Sequence, residues 1–179
     1  MVIGCSGSGK SVFSRKLRDA TGLSLYYLDM IWHKPDGTNI SREEFDKQLD
    51  SIISRDSWII DGNYRRTLET RIKACDTVFL FDLPTEICIE GALSRIGKKR
   101  EDMPWVENEL DPEFRQWIES FRANQLPEVY RLLEKYKVSN YFTFDMSIPE
   151  MIYQHKTGLK FFTGQSDIIP EPIMFDKAE

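Results

Sequence analysis

The sequence has little of what marks an exported, metal-bound or membrane-embedded chain. Its three cysteines, Cys5, Cys75 and Cys88, are scattered and odd in number, with no C-x-x-C pair and only His33 and His155 to join them. That pattern excludes a disulfide framework and a structural zinc site, and it points to a reducing compartment. No apolar run approaches the roughly 18 residues of a membrane span, and the residues before Gly4 leave no room for a secretory apolar core. An excess of cations is missing too. With 24 Lys plus Arg against 29 Asp plus Glu, the net charge of −5 offers no general attraction to a phosphate backbone or anionic lipid. A cytoplasmic protein is expected, with no membrane partner and with direct nucleic-acid binding disfavoured. There is no internal repeat or low-complexity segment, and 179 residues suit one domain with a real core.

What is present alternates between two periods. SVFSRKLRDATG sets Val12, Phe13 and Leu17 at helical spacing and stops at Thr21-Gly22. LSLYYLDM predicts a strand ending at Asp29, and the turn-rich IWHKPDGTNI follows. Ser41 and Glu44 form a capping box for a helix carrying Phe45, Leu49, Ile52 and Ile53. SWII predicts a strand ending at Asp61-Gly62, NYRRTLETRIKAC a helix, and TVFLFDL a strong strand closed by Pro84. Further helices are expected over 85–96, 112–124 and 127–137, then a strand at NYFTF and a Ser147-capped helix through Tyr153. Short apolar strands alternating with helices predict an α/β protein with a parallel sheet covered on both faces. The domain is expected over about 1–155, with a charged excursion near 96–111. Residues 156–179 read as a tail whose Phe161-Phe162 pair argues for some docking.

The opening is the most specific feature. GCSGSGKS, comprising Gly4, Cys5, Ser6, Gly7, Ser8, Gly9, Lys10 and Ser11, fits G-x-x-x-x-G-K-[ST] and lies between a predicted strand and a predicted helix. Such a loop lets backbone N–H groups converge on phosphate oxygens at the positive end of a helix dipole. Lys10 then reaches the β- and γ-phosphates, and Ser11 offers a hydroxyl to Mg²⁺. ATP and Mg²⁺ are the expected ligands, held by residues 4–11 and the following Val12. Only three residues precede the loop, so either the first strand is short or the native start lies upstream. Cys5, at a helix N-terminus, is expected to have a lowered thiol pKa and to be open to alkylation.

Two carboxylates fall at predicted strand ends beside this loop. Asp61 suits a Mg²⁺-bound water, or else caps the helix before which it stands. Asp29 suits the orientation or deprotonation of an acceptor hydroxyl, or else a turn. Asp82 reads as a turn cap, and Arg66 and Arg71 as surface partners on one helix. Trp32, Trp105 and Trp117 belong either to the wall of an acceptor site or to the core.

No N-K-x-D tetrapeptide of the GTPase kind occurs, and the chain is short for a motor or transporter ATPase. WIIDGNYRR resembles the D-G-F-P-R segment of adenylate kinases, and TVFLFDLPTEICIEGALSRIGKKR resembles the strand, helix and arginine-bearing lid of nucleoside monophosphate kinases. The order P-loop, Y-x-L-D, W-I-I-D-G-N-Y, R-x-G-K-K-R and D-M-P-W is similar to that of the bacterial, adenylate-kinase-related topology modulation protein family, over about residues 1–137. The resemblance implies a P-loop NTPase three-layer α/β/α sandwich with a five-stranded parallel sheet in the order 2-3-1-4-5. It implies transfer of the ATP γ-phosphoryl group to a small acceptor, a nucleotide, nucleoside or hydroxy metabolite. It makes Lys10, Arg95, Arg100 and Asp29 the candidate catalytic groups, Asp29 and Arg65 the acceptor ligands, with Arg65 pointing to a phosphate or other anion and Asp29 to a hydroxyl, and Ser11 and Asp61 the metal ligands. Lys98 and Lys99 extend the lid cluster, although a basic helix C-terminus is also what the macrodipole favours. Asn63-Tyr64 stand in place of Phe-Pro, so the acceptor pocket differs from that of adenylate kinase. A nucleotide-switched ATPase or regulatory module linked to DNA topology is the alternative.

Overall fold

Five short runs of apolar residues pair into one parallel sheet: β1 (Val2–Gly4), β2 (Leu25–Tyr27), β3 (Ile59–Asp61), β4 (Thr77–Phe81) and β5 (Asn140–Phe144). A computed structural model describes residues 1–138 and 140–144. His155, the expected Ser147-capped helix, Phe161-Phe162 and the 156–179 tail lie outside the described residues. The strand order is β2-β3-β1-β4-β5, as expected, and every pairing is parallel. Parallel neighbours need long crossovers, which are supplied by α1 (Lys10–Thr21), α2 (Leu28–Trp32), α3 (Arg42–Ile53), α4 (Arg65–Ala74), α5 (Thr85–Leu93), α6 (Pro112–Asn124) and α7 (Leu126–Lys135). No helix among the described residues is long and apolar enough to cross a membrane.

The strands are apolar along their length because both faces are covered. Val2, Phe79 and Phe81 point to one side and pack with Phe13 and Leu17 of α1. There the Phe13 ring lies 4.9 Å from Phe79, 5.4 Å from Phe81 and 5.2 Å from Phe144. Ile3, Val78 and Leu80 point to the other side, where α3 to α7 contribute residues such as Phe45, Ile72, Cys88, Ile118 and Leu132. The strand order reverses around β1, with β3 on one side and β4 on the other. The carboxyl ends of these three strands therefore meet at a topological switch point, where open parallel sheets leave a crevice for ligands.

Several boundaries differ from the expectation. β2 stops at Tyr27 because its partner β3 stops opposite it at Asp61. Leu28 lies beyond the end of that pairing, and Asp29 sits in the first turn of α2 instead of at a strand end. The helix expected over 85–96 ends at Leu93 and gives way to turns leading to Gly97 at φ +73°. The helix expected over 127–137 spans Leu126–Lys135, with Pro127 in its first turn, where a missing N–H costs nothing. Ser41 caps α3 as expected, its Oγ accepting from the Glu44 N–H at 3.1 Å.

Candidate functional site

The loop from Gly4 to Ser11 runs from the end of β1 into α1, and its glycines are required by two different constraints. Gly9 is the N-cap of α1 at φ +88°, with no side-chain cap and no acidic residue in the first turn. The helix N-terminus is thus left with donors that no side chain satisfies. Gly7, at φ +84°, packs directly on α5, where an added Cβ would collide with the Cys88 carbonyl oxygen. Gly91 of α5 faces the Gly7 carbonyl in the same way. The loop is braced against a helix with no room for a side chain on either surface.

Lys10 opens α1 and is 7% exposed. Beside it, Asp61 is 3% exposed at the end of β3, and neither carboxylate oxygen has a hydrogen-bond partner among the described residues. Burial pushes the Asp61 carboxyl up to about 6, against the pull of the Lys10 ammonium and the nearby Ser11 hydroxyl. A buried carboxylate with both oxygens unpartnered is costly unless something else satisfies it. With the Ser11 hydroxyl it forms a hard oxygen donor set that fits Mg²⁺, which keeps most of its own waters and needs only one or two protein ligands. No group of three or more His, Cys, Asp or Glu able to hold a metal occurs among the described residues.

The turn after β3 holds the loop in place. The Asn63 carboxamide spans the Gly4 peptide: Nδ2 donates to the Gly4 carbonyl at 2.7 Å, and Oδ1 accepts from the Gly4 N–H at 3.0 Å. Tyr64, the N-cap of α4, adopts φ +32°, a conformation uncommon for a bulky residue. Arg71 keeps the turn in that shape. Its guanidinium donates to the carbonyls of Gly62 at 2.8 Å, of Asn63, and of Tyr64 at 3.1 Å. Arg71 is fully buried, and burial lowers its pKa to about 10. The expectation that it sits on the surface is corrected: it falls on the apolar stripe between Leu68 and Ile72, and that stripe was the signal for its burial. Arg66 is a surface partner as expected, pairing with Asp46 at 2.6 Å.

A cavity of about 740 Å³ opens in front of the loop and is lined by Ser6, Lys10, Asp29, Arg65, Arg95 and Arg100 among others. Six of the predicted site residues thus share one cavity, although they come from four separate segments. Ser8 and Asp61 are buried, while Val12 is half-exposed and does not line the cavity. Asp29 accepts a 2.8 Å hydrogen bond from the Tyr64 hydroxyl. Arg65 is the exposed first residue of α4. Trp105 and Trp117 line the cavity, whereas Trp32 packs edge-on against Phe45 and Tyr64.

The segment after α5 folds over this cavity. Arg95 is half-buried with its Nε unpartnered, and burial lowers its pKa. Arg100 pairs with Asp102 at 3.4 Å and Glu107 at 3.0 Å, while the Gly97 N–H donates to the Glu107 carbonyl at 2.8 Å. Arg18 pairs with Glu101 at 2.6 Å, and Arg15 approaches Asp102 at 4.0 Å, so the segment is tied to α1. Lys98 and Lys99 are exposed and do not line the cavity.

No known protein-family model matches the chain, and no curated protein matches it. The site is therefore read from its own residues. Two further expectations change. Cys5 is buried, its thiol donating to the Ile118 carbonyl at 3.9 Å, and the neighbouring Cys88 thiol together with burial pushes its pKa up. It is not the reactive thiolate that its place before a helix suggests, because its side chain turns into the core. Asp82 is no simple turn cap: it accepts from the Tyr130 hydroxyl at 2.9 Å and pairs with Arg122 at 3.2 Å, joining the end of β4 to α6 and α7.

Proposed function

We propose that this chain is an ATP-dependent phosphotransferase of the P-loop kinase kind, acting on a small acceptor. The observation that carries the reading is the buried Lys10 at the end of a braced glycine loop, opening on the same cavity as Asp29, Arg65, Arg95 and Arg100. The strand order of the sheet and the resemblance to adenylate-kinase-related proteins support it. Phosphoryl transfer asks a protein mainly for positioning and for charge neutralisation. In this reading the uncapped N–H groups of the loop and α1 receive the ATP phosphates, and Lys10 offsets charge on their β- and γ-oxygens. Arg95 and Arg100 meet the charge that develops on the transferred group. Mg²⁺, held by the Ser11 hydroxyl and the Asp61 carboxylate, supplies neutralisation of the phosphate oxygens when bound. Asp29 and Arg65 stand on the acceptor side.

The test is ADP release from Mg·ATP in a coupled assay with nucleoside monophosphates, nucleosides and small hydroxy metabolites, using Lys10→Ala as the blank. Acceptor-dependent release that disappears in the blank is expected. A second reading, a nucleotide-switched regulatory module, is favoured by the ion pairs that tie residues 101 and 102 to α1, since nucleotide at the loop would then act on the segment over the cavity. ATP binding without acceptor stimulation would support that reading over the first.

A further inference from the structure

The acceptor side of the cavity carries an arrangement that the glycine loop does not explain. Asp29 lines the cavity with one oxygen, Oδ1, held by the Tyr64 hydroxyl at 2.8 Å. Its other oxygen has no hydrogen-bond partner, and no cation pairs with it among the described residues. Tyr64 is itself held firmly: its ring stacks on Phe45 at 5.1 Å, and its left-handed backbone is gripped by Arg71. Burial and the Asp29 charge push the Tyr64 phenol well above its ordinary value, so its hydroxyl stays a donor. Strained backbone kept in place by a buried arginine is the kind of feature that persists where a group must be aimed.

Resting on the phosphotransferase reading, we infer that the acceptor presents an alcohol hydroxyl, not a phosphate, to the ATP γ-phosphate, and that the free oxygen of Asp29 receives the hydroxyl proton. A phosphate acceptor would bring a second anion against an unpaired carboxylate in a cavity partly shielded from water, where like charges repel strongly. A hydroxyl is the complementary partner: it donates to Asp29 and directs its lone pair away. In the step, the acceptor oxygen forms a bond to the γ-phosphorus as the bond from that phosphorus to the β–γ bridging oxygen breaks. ADP leaves with that electron pair, and the hydroxyl proton passes to Asp29 and then to solvent. Neither Arg65, exposed at the start of α4, nor Arg95, which feels the Asp29 charge across the cavity, forms an ion pair with it.

The full chain with Mg·ATP is assayed for ADP release against two panels, nucleosides and polyols in one, AMP, CMP, GMP and UMP in the other, with products read by phosphorus NMR. Stimulation by the hydroxyl panel is expected, with a phosphomonoester product. Asp29→Asn is expected to lower kcat about 10²–10⁴-fold while ATP still raises the Tm. Tyr64→Phe, which keeps the ring but not the hydroxyl, is expected to lower kcat with little change in the KM for ATP, because Asp29 loses the donor that aims it. A phosphoanhydride product from a monophosphate, an unimpaired Asp29→Asn protein, or bound ATP with no response to either panel would each overturn the inference and leave the ATP site standing. Failure of ATP to stabilise the wild-type protein would instead overturn the phosphotransferase reading, and this inference with it.

Discussion

Replacing Asp61 by Asn should make the ligand-free protein more stable at neutral pH. Asp61 is buried with both oxygens unpartnered, and burial raises its carboxyl from an ordinary 3.8 to about 6. A group whose folded pKa is raised contributes most stability when protonated in both states, below about pH 4. That contribution is lost as the pH rises through the folded value, because the unfolded chain releases the proton more readily. At about 1.4 kcal/mol per pH unit between the two values, the ionised folded state is disfavoured by about 3 kcal/mol at pH 8. Asn is nearly isosteric and cannot ionise. In EDTA, Asp61→Asn should therefore raise the Tm by roughly 6–12 °C at pH 8, given roughly 2–4 °C per kcal/mol for a chain of this size. The gain should vanish near pH 4. Other titrating groups are common to both proteins and cancel in the difference curve. With Mg·ATP the order should reverse, the wild-type protein gaining far more than the variant. A gain that is absent at pH 8, or equally large at pH 4, would show that burial does not outweigh the pull of Lys10 and Ser11 on the Asp61 charge.

Lys10→Ala should fold but lose the stabilisation that ATP gives the wild-type protein, about 2.7 kcal/mol at a hundred times the Kd, read as a missing thermal shift. Gly9→Ala meets open space and bears only the strain of a left-handed backbone, about 1–2 kcal/mol, whereas Gly7→Ala also collides with the Cys88 carbonyl and should cost roughly 2–5 kcal/mol in urea unfolding. Asn63→Leu strips both hydrogen bonds from the Gly4 peptide and should cost about 2–4 kcal/mol while raising the KM for ATP. Arg71→Leu should be worse, at about 3–5 kcal/mol, with Arg71→Lys intermediate because an ammonium cannot span three carbonyls as a guanidinium does.

The sequence shows the elements whose signals are local. NYFTF and residues 112–124 match β5 and α6 residue for residue, because an apolar run and a Pro-led amphipathic stripe each declare their own limits. The end of β2 was not legible, since it depends on where β3 stops, and that pairing is absent from local pattern. The same division holds at the site. Gly4 to Ser11 is a contiguous motif and can be read directly. Asn63 and Arg71 cannot, because their partners are backbone atoms of a turn and of a distant loop, which carry no side-chain signature. Cys5 shows the limit of a local rule: a helix N-terminus does lower a thiol pKa, but burial beside Cys88 is the larger effect here.

The turn at 62–64 joins the two halves of the site. Arg71 fixes three successive carbonyls, and that single grip sets two outputs. Asn63 clasps the peptide at the start of the glycine loop, while Tyr64 aims Asp29. On the proposed phosphotransferase reading, donor-side and acceptor-side groups are thus referred to one turn, although Gly4 and Asn63 lie 59 positions apart in the chain and Asp29 and Tyr64 lie 35 apart. In-line transfer loses rate steeply when reacting groups are misplaced by about 1 Å, so on that reading a common reference for both sides would have a direct kinetic use. It also accounts for finding a left-handed tyrosine and a fully buried arginine together. Each costs stability where it stands, and the two become intelligible together, since the arginine holds the backbone that the tyrosine strains.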